Sequence, residues 1–449
     1  MTAALTGMRA FTVVWAGQFL SLLGSGLTAF ALGVHVYRVT GSATTLSVVF
    51  ALSLLPAIVV APFTGALVDR WGTKRSLLVS NTANMVIALV LATLLFSGAF
   101  AIWHVYPIVA ASSVVAALEM PAFATLGPRL VAKERLGRVN GMRMSAIATN
   151  EVLAPVAAGF LLLAVGLRGI VVLDLITFGL ALLSVAIVPI PRDTDADGEA
   201  AERPRGLLAS FREGWRYVAA RPGLTALLLF LGAVNLSAGF IDLLITPLVL
   251  SFASADELGV ALSIGGVGMV LSGIAVTVTG GPRRRVRGIL IGSLAMAVAT
   301  IAGATRPSVA LVAAAAFVFM GALGVVLATN QALWQSKVEP RLLGRVAALV
   351  NMVSQIPQLI AYLLAGVLVD RVFDPAVGGD DVRSPGLAAV IGDGPGRGTA
   401  LLMMIVGALI VVSVAVAAAA PRLRGLEREL PDAVGERDDT GRPVVAGPA

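Results

Sequence analysis

The sequence predicts an all-α membrane protein of twelve transmembrane helices, in two six-helix halves related by pseudo-two-fold symmetry. Three observations lead there: a composition too apolar for water, twelve apolar runs of membrane length, and an internal repeat. Apolar residues make up 57% of the 449 and charged residues only 13%, whereas a soluble protein carries about 25% charge. Mean hydropathy is +0.91. So little polar material cannot cover a soluble domain of this length.

A hydrocarbon core of about 30 Å needs roughly 20 apolar residues per helix. The first six runs that meet this are Phe11–Tyr37, Thr44–Val68, Leu77–Ser97, Val105–Gly127, Val139–Leu167 and Ile170–Ile190. The second six are Gly223–Phe252, Gly259–Gly280, Gly288–Ala304, Ser308–Trp334, Val346–Val369 and Thr399–Ala420. The first run is too long for the apolar stretch of a signal peptide and is followed at once by a second, so it reads as an uncleaved helix.

Orientation follows from the basic residues. Of the 33 Lys and Arg, 27 fall in the two termini and the even-numbered loops, and six on the other side. Membrane proteins keep Arg and Lys in the cytosol, which places both termini there. An even number of spans requires the same. The chain then divides into an N-terminal half (1–190), a linker (191–222), a C-terminal half (223–420) and a tail (421–449). The linker is polar, with an amphipathic stretch at Leu207–Ala219. Asp370–Gly398 reads as an external loop rich in Gly, Asp and Pro, without the fixed carboxylate spacing of a cation loop. The mixed-charge tail reads as disordered beyond about Leu430.

There is no cysteine and there are only two histidines, His35 and His104. Disulfides, Cys-based metal sites and His-rich metal centres are thereby excluded, and no metal or cofactor is expected. Net charge is +7, but its confinement to loops between apolar runs fits a membrane protein and not a nucleic-acid binder. The expected partner is the lipid bilayer and not nucleic acid, with the chain acting as a monomer. Thirty of the 33 basic residues are Arg, a bias that suggests a high-GC bacterial genome.

The repeat supports the two halves. At an offset of 207 residues, Leu136-Gly137-Arg138-Val139 falls on Leu343-Gly344-Arg345-Val346, and Gly159 falls on Gly366. At an offset of 208, Gly65 falls on Gly273, Gly72 on Gly280 and Arg75 on Arg283, while Asp69 meets Thr277. Halves repeated in the same order and orientation pack about an axis along the membrane normal, with a site between them near the midplane.

Gly65-Ala66-Leu67-Val68-Asp69-Arg70-Trp71-Gly72-Thr73-Lys74-Arg75, between spans two and three, resembles the cytoplasmic signature loop of the major facilitator superfamily. Gly65 permits close approach of a helix and Gly72 a tight turn, while Asp69 can meet a helix N-terminus or a nearby Arg. The resemblance implies that this loop clasps the two halves when the protein opens outward. Gly65, Asp69, Arg70, Gly72, Lys74 and Arg75 are then switch residues. Weaker likenesses narrow the branch: Trp15-Ala16-Gly17-Gln18, Thr40-Gly41-Ser42, Gly214-Trp215-Arg216-Tyr217, Asn330-Gln331, Trp334-Gln335 and Gly344-Arg345-Val346. These resemble the macrolide- and tetracycline-efflux branch and imply export of amphiphilic drugs or natural products by proton exchange. Span four lacks the Arg found in many proton antiporters of the superfamily. Glu151, Pro155 and Gly159 in span five are only a thin likeness of its Gly/Pro-rich antiporter motif.

Ionised groups inside a membrane cost about 2.5–3.5 kcal/mol on insertion scales, so each acid in a span asks for a role. Glu151, beside Asn150 near the middle of span five, is the first candidate to carry a proton. A structural hydrogen bond or a substrate contact is its alternative. Glu119, in span four before Pro121, is expected to pair with Arg143 or Arg70, with proton coupling as its alternative. Asp174 in span six and Asp242 in span seven are expected to snorkel outward or cap a neighbour, with proton coupling as the functional alternative. Gln18, Ser21, Asn150, Asn235, Asn330, Gln331, Asn351, Gln355 and Gln358 are candidates to line a substrate cavity. Asn351, Gln355 and Gln358 share one helical face, which either faces water or bonds another helix. Trp15 and Trp334 suit either stacking on a flat amphiphile or interfacial anchoring. No Ser/His/Asp grouping or Walker loop supports an enzyme, a sensor or an ATP-driven pump. A proton-coupled importer or a lysolipid carrier of the same fold stays open.

Overall fold

The computed structural model describes residues 6–190, 207–378 and 394–429. All twelve expected spans are helices long and apolar enough to cross a membrane. In chain order the helices are α1 (Gly7–Thr40), α2 (Ala43–Trp71), α3 (Thr73–Ser97), α4 (Val105–Leu130), α5 (Leu136–Ala164) and α6 (Gly166–Ile187). The amphipathic α7 (Leu207–Ala219) follows, where the sequence places it. Then come α8 (Pro222–Leu250), α9 (Ala255–Thr279), α10 (Arg285–Thr305), α11 (Val309–Lys337), α12 (Pro340–Leu368), α13 (Arg397–Ala419) and α14 (Pro421–Glu429). Exposed apolar side chains such as Leu229, Val278 and Ile291 cover the outer faces, as lipid requires.

Local chemistry sets the boundaries. Gly41 at φ 61° ends α1, and the Ser42 hydroxyl then accepts from the Thr45 N–H to start α2. Gly72 at φ 79° supplies the turn between α2 and α3, the conformation foreseen for it. Ser254 and Glu257 form a reciprocal capping box at the start of α9. Prolines inside α2, α4, α5, α8 and α12 are tolerated because neighbouring helices satisfy the freed backbone groups.

Small residues bring the helices together, since lipid offers no hydrophobic drive for association. A Cβ at Gly17 would lie 2.3 Å from the Ser184 hydroxyl, and one at Gly24 would meet Thr177 and Asp174, so α1 and α6 touch closely. In the second half, a Cβ at Gly268 of α9 would come 2.3 Å from the Phe317 carbonyl of α11.

The described contacts between the halves gather at one end, opposite the basic loops. A Cβ at Gly159 would sit 2.9 Å from the Ala255 carbonyl, and one at Gly259 2.4 Å from the Pro155 carbonyl, where α5 crosses α9. Gly366 of α12 lies as tightly against Ala43, Thr44 and Ser47 at the start of α2. The repeat is therefore visible in space: Gly159 and Gly366, equivalent in sequence, each seat on the first turn of a helix from the other half. At the basic end, Gly65, Gly137, Gly141 and Gly273 have open space around them. The structure is closed at the non-basic end and open at the basic end.

One expectation needs correction. The region from Asp370 does not begin as a loop, because Val369–Gly378 continues α12 as a π-helix. Val369 and Val377 are buried there, and the Asp370 carboxylate finds donors on α2. The tail is ordered at its start: α14 buries Leu423 and Leu426, and Glu427 accepts from the backbone N–H groups of Arg285 and Val286 at 2.6 and 3.3 Å. Residues 191–206, 379–393 and 430–449, on which the linker, acidic-loop and disordered-tail expectations fall in part or whole, lie outside the described residues.

Candidate functional site

Each half encloses a cavity. The N-terminal one, about 420 Å³, is lined by mostly apolar residues of α1–α6, with Gln18, Ser21, Thr28, Asn84, Glu119, Arg143 and Asp174 among them. Asp174 is 3% exposed. Its Oδ2 accepts from the Thr28 hydroxyl at 2.8 Å, while its Oδ1 has no partner. Gln18 is buried about one helical turn along from Trp15, and neither of its amide atoms is satisfied. Unsatisfied buried groups of this kind ask for a ligand or water. Glu119 accepts from the Asn84 amide at 3.2 Å.

These contacts overturn two readings of the acids. Asp174 does not snorkel: it points into the bundle, because Gly24 and Thr28 on α1 leave room and supply a donor. Glu119 is bonded to Asn84 and not to Arg143 or Arg70. The Arg143 guanidinium instead lies over the Phe123 ring, 5.7 Å from its centroid. Arg70 is exposed in the signature loop. Trp15 donates to the Met142 carbonyl at 3.0 Å and stacks on Phe19, one flat face of the cavity wall. Trp334 is buried away from both cavities.

The C-terminal cavity, about 200 Å³, is lined by α8–α13 and is apolar except around Asp242, Thr300 and Gln358. Here a hydrogen-bond chain crosses from α12 to α8. Gln358 donates to the Tyr362 oxygen at 2.8 Å, and Tyr362 donates to Asp242 Oδ2 at 2.5 Å. Asp242 therefore does not snorkel either. The Phe50 ring of α2 packs edge-on against Tyr362, with centroids 5.3 Å apart, so the chain ends at the boundary between halves. Glu151 lies on α5, in the other half. Glu151 is exposed, and its carbonyl packs against Gly266 of α9.

The other polar candidates are not gathered into either cavity. Asn150 packs against Gly26 of α1 with its Oδ1 unpartnered. Asn235 donates to Leu231 of its own helix, and Gln355 to Asn351 at 3.3 Å. Asn330 has a buried, unpartnered Oδ1, and Gln331 is exposed. In the signature loop Asp69, Arg70 and Arg75 are exposed, while Lys74 donates to the carbonyls of Ala186 and Val188 at the end of α6. Lys74 thus anchors the loop within its own half. Tyr362, Thr28 and Asn84 were not singled out from sequence; their partners Asp242, Asp174 and Glu119 lie on other helices. Among the described residues, no three His, Asp or Glu side chains come together as a metal site.

The model of the Major Facilitator Superfamily matches residues 14–373. The chain belongs to that superfamily. Macrolide efflux protein A of Streptococcus pyogenes is 27% identical over 368 residues, covering 81% of this chain and 90% of the relative. Multidrug efflux pump Tap of Mycobacterium tuberculosis is 25% identical over 384 residues, covering 80% and 87%. Among solved structures, the nucleoside transporter NupG superposes with a TM-score of 0.67 at 12% identity, covering 91% of this chain and 98% of that one. A bacterial homolog of the human lysosomal transporter Spinster gives 0.66 at 15% identity, covering 91% and 96%. These structural likenesses show the fold. This superfamily member is a multi-pass membrane transporter with efflux proteins among its relatives.

Proposed function

We propose that this transporter exports amphiphilic drugs or natural products across the bacterial cytoplasmic membrane, driven by returning protons. The observation that carries the reading is the pairing of an acid-bearing, largely apolar cavity with similarity to efflux proteins along most of the chain. The basic end, with both termini, faces the cytosol, as its Arg and Lys excess favours. In the state described, cytosolic or inner-leaflet compounds reach the cavities from that end. The apolar walls and Trp15 of the N-terminal cavity take the body of the substrate. Gln18, Asp174 and Glu119 supply its polar contacts.

Proton coupling falls to Glu151 and Asp242. Tyr362 and Gln358 hold Asp242 at the boundary between the halves, and Glu151 is an exposed acid of the other half. When the crevice closes at the basic end, enclosing an ionised carboxylate opposes the closure, and a bound proton relieves it. Each returning proton brings about 2.3 kcal/mol per 100 mV of membrane potential.

The test is uptake of a labelled macrolide and of a cationic dye into energised inverted vesicles, where export appears as accumulation. Accumulation that collapses with a protonophore and in Glu151→Gln or Asp242→Asn supports the reading. Accumulation that needs the gradient but survives both substitutions moves the coupling to Asp174 or Glu119. Absence of gradient-dependent accumulation across a broad panel of amphiphiles refutes export by proton exchange.

A further inference from the structure

The end of α12 repeats the end of α2. Gly366-Val367-Leu368-Val369-Asp370-Arg371 matches Gly65-Ala66-Leu67-Val68-Asp69-Arg70 at five of six positions. The two helices are antiparallel neighbours from opposite halves, so one copy of the string lies at each end of the molecule. At the basic end the string is idle: Asp69 and Arg70 are exposed, and Gly65 has nothing within 4 Å. At the non-basic end it is engaged.

There Asp370 caps a helix that belongs to the other half. Its carboxylate accepts from the Ser42 hydroxyl at 2.7 Å, the Ala43 N–H at 3.0 Å and the Thr44 N–H at 2.8 Å. Ala43 and Thr44 are the first two residues of α2, whose N–H groups have no partner inside the helix. The third, Thr45, is satisfied by Ser42. A carboxylate at a helix N-terminus gains from the helix dipole as well as from charge-assisted hydrogen bonds. Gly366 makes this approach possible. A Cβ there would come 2.4 Å from the Ala43 carbonyl and 2.5 Å from the Thr44 Cα, and its own N–H donates to the Ser47 hydroxyl at 2.8 Å.

We propose that Gly366 and Asp370 form a latch that holds the non-basic end shut, as the inverted counterpart of the Gly65–Arg70 loop at the basic end. Because α2 and α12 run antiparallel, each helix carries at its C-terminal end the acid that can cap the start of the other. Rocking the halves separates one cap and brings the other together, so each state of the alternating cycle has its own latch. Asp370 and Gly366 are positioning residues: they touch neither cavity and act on which end is open. The inference rests on the alternating opening of the proposed function but not on the substrate or on proton coupling.

The chain contains no cysteine, so spin labels can be placed at will on the full-length protein. One pair, Val39→Cys with Val372→Cys, reports the non-basic end; a second, Asn140→Cys with Thr277→Cys, reports the basic end. All four positions are exposed. Asp370→Ala is expected to raise the ratio of molecules open at the non-basic end about tenfold, the scale of a lost helix cap. The first distance lengthens and the second shortens. Asp370→Asn keeps an acceptor and falls between, and Asp69→Ala shifts the ratio the other way. Gly366→Ala should open the same end by collision with Ala43 and Thr44, and it carries the test if the Asp370 variants do not fold. Unchanged distances in folded Asp370→Ala or Gly366→Ala, or a shift in the same direction for Asp69→Ala and Asp370→Ala, overturn the latch. These distances report the two ends alone, so the result stands whether or not the vesicle experiment detects export.

Discussion

Gly259→Ala is a small change with a large expected effect on which end of the protein is open. Gly259 lies on α9 where it crosses α5, and an added Cβ would sit 2.4 Å from the Pro155 carbonyl oxygen and 3.2 Å from its carbon. Favourable contact needs roughly 3.5 Å, so the backbones must separate by about 1 Å. Overpacking of this kind costs about 1–3 kcal/mol. The cost falls only on the state closed at the non-basic end, since opening that end parts α5 from α9. A differential of that size changes a two-state ratio about 5- to 150-fold. A state open at the non-basic end and populated at about 1% would rise to between about 5% and 60%. Gly273→Ala on the same helix is the control, because nothing lies within 4 Å of a Cβ there. It makes the same gain in helix propensity without the collision. Spin-label distances across the two ends give the populations directly. Identical distance distributions for Gly259→Ala and Gly273→Ala would refute the reasoning that this crossing holds the end closed.

Three further substitutions test separate parts of the structure. Tyr362→Phe removes the donor to Asp242 and the acceptor for Gln358, a loss of about 1–3 kcal/mol at a buried acid. Proton-driven uptake should fall about 5- to 150-fold and its pH profile should change, with protein amounts in the membrane unaltered. Gly268→Ala drives a Cβ to 2.3 Å from the Phe317 carbonyl inside one half, so about 1–3 kcal/mol of stability is lost. A lowered melting temperature without a change in which end is open is the expected signature. Glu427→Ala uncaps the start of α10 and should cost about 0.5–2 kcal/mol, seen as a lower melting temperature of the purified protein.

Much of the architecture is legible in the sequence because the bilayer imposes simple rules. Length and hydropathy alone mark twelve helices, since a membrane forces each span to satisfy its own backbone. Gly72 announces its turn and Leu207–Ala219 its amphipathic helix, because each depends on residues close in the chain. The pairing of Gly159 with Gly366 shows the repeated halves before any coordinates exist. Which acids are buried, and with whom, is another matter. Asp174 meets Thr28, Glu119 meets Asn84 and Asp242 meets Tyr362, all across helices whose rotation the sequence does not specify. Each acid looks free, in the linear chain, to reach a helix end or an Arg; neighbouring small residues fix the packing that denies it.

That this chain is a membrane transporter of two repeated six-helix halves, with its basic loops at one end, is written in the linear order of its residues. Hydrophobic length, charge asymmetry and a signature loop are local properties, and the bilayer reads them residue by residue. Which end is closed, that Tyr362 holds Asp242, and that Asp370 caps a helix of the opposite half were settled by packing alone. Those facts depend on contacts between residues far apart in the chain, made at distances of a few ångströms where a single Cβ or carboxylate changes the outcome.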